Sequence, residues 1–140
     1  MKFKEIKIGD SASFSKTISE GDVYLFAGIS GDLNPAHVNK IAAEQGIFKK
    51  QVVHGMLAAS LISSVLGMQL PGPGTIYMGQ DLRFVKPVYF GDTITATVTV
   101  ESIDYKRKMI TLRTICTNEK EEMVIEGHAN VRPPSSIKIQ

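Results

Sequence analysis

Residues 56–70 read MLAASLISSVLGMQL. Apolar and small side chains fall on nearly every side of this run, no charge interrupts it, and Pro71, Gly72, Pro73 and Gly74 stop it. A stretch of this kind predicts a helix buried in a core, because a surface helix needs a polar face. Ser60, Ser63 and Ser64 lie within it, and it is too short to cross a bilayer. A core element is therefore expected, not an anchor.

Everything downstream of this helix reads as strand. Residues 75–85 form one candidate. Gly91 and Asp92 then mark a turn, and 93–103, TITATVTVESI, are β-branched with period-2 alternation. Lys106, Arg107 and Lys108 read as a solvated hairpin tip. Residues 109–118 (MITLRTICTN) and 122–132 (EMVIEGHANVR) complete an antiparallel meander that Pro133 and Pro134 end. Upstream, residues 11–18 (SASFSKTI) predict a further strand. Ser19 followed by Asp22 resembles a capping box, with Asp in place of the usual Glu, so a helix is expected to start there and run out near 28–31. Residues 32–37, DLNPAH, are expected to be irregular, since Pro35 forces Asn34 out of the helical region. A short helix over 38–44 and a brief extended stretch at 51–53 follow.

One long buried helix with an antiparallel sheet curved around it is an α+β layer architecture, the hot-dog arrangement. Residues 1–140 are expected to form a single such domain, there being no repeat, linker or low-complexity segment. A sheet of this kind has exposed edges, which pairing across a two-fold axis would protect, so a homodimer is the natural expectation.

The 140 residues carry 16 Lys+Arg against 14 Asp+Glu, a net charge of +2, which is no electrostatic signature of nucleic-acid binding. Cys116, alone in the chain, cannot form an internal disulfide, and its apolar surroundings make it a small core hydrophobe. The first residues, MKFKEIKIGD, lack the apolar stretch of a secretion signal. A soluble, cytoplasmic protein without membrane association is expected.

Chemistry concentrates in residues 26–43, FAGISGDLNPAHVNKIAA. Asp32, Asn34 and His37 fall within six residues, separated by turn formers. On a regular helix positions five apart diverge by about 140°. An irregular loop removes that constraint, and an Asp and a His within reach of one water make a general acid–base pair. Asp and Asn are also ordinary turn formers and caps, so the residues taken by themselves leave a structural and a catalytic reading open. His37, His54 and His128 lack metal-ligand spacing, and no metal is expected.

The segment resembles the signature of the MaoC-like (R)-specific enoyl-CoA hydratases. Phe26, Ile29, Ser30, Gly31, Asp32, Asn34, Pro35, His37 and Ala43 fit it, whereas Ala36 stands where the signature has Leu, Ile or Val. Residues 52–72 and 74–100 resemble the family's central-helix and sheet segments, so the likeness covers nearly the whole chain. It implies reversible hydration of a trans-2-enoyl-CoA to an (R)-3-hydroxyacyl-CoA. The CoA thioester is then the substrate, and no cofactor is required. By the same resemblance, Asp32 is the general base and His37 shares the water and moves the proton. Asn34 orients the loop. The backbone N–H of Gly55 would stabilise the developing thioester oxyanion, in keeping with the free amides and positive dipole end of a helix start. Ser63 and Leu66 match acyl-pocket positions, with Met56 and Leu57 as further contributors. His54 is expected to be a packed histidine beside the helix start, not a second base. A short acyl chain is favoured.

Three other functions compete. A 3-hydroxyacyl dehydratase acting on acyl carrier protein would use the same pair. An acyl-CoA thioesterase on this fold usually wants a carboxylate on the central helix, and residues 56–70 hold none. A non-catalytic acyl-CoA-binding module would need no water-activating pair.

Overall fold

The computed structural model describes residues 1–135. Strand β1 (Ser11–Thr17) leads into helix α1 (Glu20–Ser30), then two short helices, α2 (Pro35–Val38) and α3 (Lys40–Glu44), and the long helix α4 (Gly55–Met68). Five strands follow: β2 (Ile76–Gln80), β3 (Arg83–Phe84), β4 (Thr93–Asp104), β5 (Met109–Thr117) and β6 (Met123–Arg132). They join β1 in one antiparallel sheet of order β1-β4-β5-β6-β2, in which β3 pairs with another part of β6. This is the α+β hot-dog arrangement that the sequence predicts.

The alternation in 93–103 does what period-2 patterning requires. Ile94, Ala96, Val98 and Val100 point inward from β4. Ile110, Leu112, Thr114 and Cys116 do so from the paired β5. A shift in register between Val100 and Ser102 marks an irregularity in β4, a feature that increases local twist and helps a sheet curl. Against the inward face lie Ala58, Ile62, Val65 and Leu66 of α4, all essentially without solvent contact. Cys116 belongs to this core, and burial pushes its thiol up to about 12, the behaviour of an inert core residue.

Four local expectations need correction. Helix α4 is one residue longer at its start and two shorter at its end than the apolar run, and it is not buried all round. Met56, Ser60 and Ser63 recur at helical spacing and form an open face, with Met56 57% exposed. Residues 35–38 are helical rather than irregular, because Pro at the first position of a helix loses only an amide that would have no partner there. The helix expected over 38–44 starts at Lys40, since Asn39 breaks from α2 and caps α3 through its side chain on Ala42 N–H at 2.9 Å. Residues 75–85 make two strands instead of one. Asp81 interrupts them by turning its carboxylate onto the His128 amide, 3.1 Å away, and its own amide onto the His128 carbonyl.

Among the described residues, no helix is long and apolar enough to cross a membrane.

Candidate active site

Helix α1 delivers the first half of the site. Its start is the predicted capping box: Ser19 Oγ accepts from Asp22 N–H at 3.0 Å and Asp22 Oδ2 from Ser19 N–H at 2.9 Å. Its end is Gly31, whose φ of 79° is the left-handed conformation that glycine adopts without penalty. The chain therefore turns sharply just before Asp32. Ser30 Oγ accepts the Asp32 amide at 3.1 Å, and Asp32 Oδ1 accepts the Asn34 amide at 3.2 Å. Asn34 in turn caps α2, its Oδ1 accepting Ala36 N–H at 3.0 Å. Asn34 thus ties the carboxylate on one side of it to the helix that carries His37 on the other.

The His37 ring is fixed from the far side of the loop. Its Nδ1 lies 2.7 Å from the Val52 carbonyl oxygen. A carbonyl only accepts, so Nδ1 carries the proton and Nε2 presents a lone pair. Val52 is itself held, donating to the Ala36 carbonyl at 3.0 Å, and Gln51 Nε2 donates to the His37 carbonyl at 2.7 Å. The result is an imidazole fixed through Nδ1, with Nε2 left for a second partner.

Asp32, His37 and His54 each bring one oxygen or nitrogen within 4.8 Å of the others'. One water, about 2.8 Å from each of two acceptors, bridges a gap of that size. Each histidine spends one ring nitrogen on a backbone carbonyl, which fixes the ring and leaves the other nitrogen uncommitted. The expected pair, Asp32 and His37, is thus brought together.

A cleft of about 460 Å³ opens over the pair. Asp32, His37, Gly55 and Met56 line it, with Phe48 and Phe84 beside them and Val53, Ala58, Val88 and Ile125 on its apolar side. Gly55 opens α4, and its amide has no hydrogen-bond partner among the described residues. A side chain at Gly55 would meet the Phe84 ring at 2.6 Å, so the close approach of that ring requires glycine there. A second cleft, of about 530 Å³, lies along the open face of α4 between Phe26, Met56, Ser60, Ser63, Tyr77 and Leu82.

The four acyl-pocket candidates part company. Met56 stands where the two clefts adjoin, and Ser63 lines only the second. Leu66 is buried in the core and Leu57 packs against it, and neither lines either cleft. The sequence reading did not single out Val52, Phe48 or Phe84. Val52 acts through its backbone, which leaves no trace in residue type, and the approach of Phe84 to Gly55 is made by the fold between residues far apart in the chain. Of the basic residues near the strands, Arg83 pairs with Glu126 at 3.2 Å, Lys86 with Glu122 at 2.5 Å and Arg107 with Asp104 at 3.9 Å.

Comparison with known proteins places this geometry. A family model described as "MaoC like domain" matches residues 4–122. The (R)-specific enoyl-CoA hydratase of Rhodospirillum rubrum is 55% identical over 133 residues, covering 95% of this chain and 92% of that protein. The crystallised (R)-hydratase of Aeromonas caviae, described as involved in PHA biosynthesis, superposes with a TM-score of 0.91 at 39% identity, covering 94% of this chain and 99% of that one. A mitochondrial 3-hydroxyacyl-[acyl-carrier-protein] dehydratase of Arabidopsis thaliana is 33% identical over 138 residues, covering 96% of this chain and 82% of that protein.

Proposed function

The chain belongs to the MaoC-like domain family, and from that premise we propose that it is an (R)-specific enoyl-CoA hydratase acting reversibly on a trans-2-enoyl-CoA. The observation that carries this reading is the convergence of Asp32 and His37 on one small space beside the amide of Gly55. A water there donates one hydrogen to the Asp32 carboxylate and the other to His37 Nε2, which leaves an oxygen lone pair directed at the substrate. Oxygen adds to C3 as Asp32 takes one proton. His37, sharing the water, moves that proton on to C2 on the same face, and the second hydrogen stays on the new hydroxyl. Addition from a single face fixes the product's handedness. The Gly55 N–H, at the positive end of α4, receives the charge that develops on the thioester oxygen.

The acyl chain, in this reading a short one, lies against Met56 and the apolar side of the first cleft, which Val53, Ala58 and Ile125 line. Asn34 keeps the pair in register. The reaction uses no cofactor and no metal. Two copies associate: edge strand β2 presents Ile76 and Met78, each 53% exposed, next to the open Met56–Ser60–Ser63 face of α4, and a second copy would cover both.

The dehydratase acting on acyl carrier protein would use the same pair. The thioesterase is disfavoured because Gly55–Met68 holds no carboxylate, and a binding module because it has no use for the pair. The test is to compare hydration of crotonyl-CoA with that of the same acyl group on acyl carrier protein. Faster turnover of the CoA thioester is the expected result. Turnover confined to the carrier-bound substrate would make the protein a carrier dehydratase instead.

A further inference from the structure

His54 has no part in the chemistry just described, yet it touches both members of the pair. It is 2% exposed and immediately precedes α4. Its Nε2 lies 2.9 Å from the Asp32 carbonyl oxygen, which can only accept, so Nε2 carries the proton. Its Nδ1 is buried and meets no polar partner among the described residues, so a second proton there would sit on an unsatisfied donor. The nitrogen that donates is thus Nε2, the opposite of the arrangement in His37. It stacks on His37 with centroids 3.9 Å apart and planes 23° from parallel, and it packs against Phe26 at 4.9 Å.

One ring thus fixes the backbone of Asp32 by a hydrogen bond and the plane of His37 by contact, while it is anchored to the end of α4 that presents the Gly55 amide. We infer that His54 is a positioning residue of the hydratase site, acting through Asp32 and His37 rather than on the substrate. The inference rests on the hydratase reading. A mere core filler at this place would be an apolar ring, because a buried imidazole with one idle nitrogen is a poor choice for packing alone.

Two substitutions separate the functions. His54→Phe keeps a flat ring against His37 and removes the donor to Asp32. His54→Gln keeps an N–H in reach of the Asp32 carbonyl. With crotonyl-CoA, His54→Phe is expected to lower kcat about 10²-fold, the cost of a misplacement of about 1 Å. His54 also lines the first cleft, but at 2% exposed it offers a substrate little surface, so KM should stay nearly unchanged. His54→Gln should recover a large part of kcat. The inference is overturned by a His54→Phe enzyme of wild-type kcat, by a loss confined to KM, or by a Gln variant no better than Phe.

Imidazole ¹⁵N shifts of the wild type decide the same point even where a variant fails to fold. His54 is expected as the Nε2–H tautomer and His37 as Nδ1–H, and the reverse at His54 overturns the inference. The two readings fail differently. A wild-type protein inert towards crotonyl-CoA removes the hydratase reading, whereas an active one indifferent to His54→Phe removes only the role of His54.

Discussion

Asn34 ties the two halves of the candidate site together without lining the cleft itself. Its backbone amide holds the Asp32 carboxylate and its side chain caps the helix that carries His37. Asn34→Ala should cost about 1 kcal/mol, as loss of a helix cap does. It should lower kcat more than it raises KM, a split that steady-state kinetics beside a denaturation curve would reveal. Asn34→Asp keeps the capping oxygen and should restore most of the stability. Asp32, Asn34 and His37 were legible in the sequence because polar residues crowded between turn formers are conspicuous. His54 was legible only as a residue beside the helix start. Its role lies in which atoms of Asp32 and His37 it meets, and residue type and spacing do not encode that. The Val52 carbonyl that sets the His37 tautomer was invisible for the same reason.

Among the elements, those with strong periodicity were read most faithfully. β4, β5 and β6 fall within one residue of their expected limits, since alternation that buries one face tolerates no slip, and β1 does so too, although it is exposed along nearly its whole length. The short pieces around the site were read less well, because Pro35 serves equally to break a helix and to begin one. Leu112 sits without solvent contact where β5 faces the core, so Leu112→Ala should cost about 2–5 kcal/mol, measured as a shift of the denaturant midpoint. The capping box of α1 makes a separate prediction. The Ser19 backbone amide and then Lys16 hold the Asp22 carboxyl below its ordinary value of 3.8. A carboxyl depressed in the folded state adds stability above the unfolded value and loses it as pH falls through the folded one. Asp22→Asn should therefore be less stable than the wild type at neutral pH, and the two should converge in acid. Because the box lies at the far end of α1 from Asp32, activity per folded molecule should be unchanged.

At the scale of the whole molecule, the curled sheet and its helix leave an uncovered apolar region at the β2 edge beside the open face of α4. The apolar run of 56–70 predicts burial on nearly every side of α4, because residue type does not say which neighbours the same chain supplies. A lysine at Met78 should shift sedimentation from two copies towards one, whereas an unchanged sedimentation coefficient would place the contact elsewhere. The same architecture brings the loop after α1 over the first turn of α4, which puts an acid–base pair beside a free amide in one cleft. The hydration chemistry depends on that juxtaposition. Its most direct test is the hydration of crotonyl-CoA by the wild type, Asp32→Asn and His37→Ala, with the product's handedness read by a stereospecific dehydrogenase. Rapid formation of the (R)-3-hydroxy product by the wild type and a loss of about 10²–10⁴-fold in each folded variant are expected. An (S)-product, or turnover that survives both substitutions, would contradict a hydration carried by Asp32 and His37.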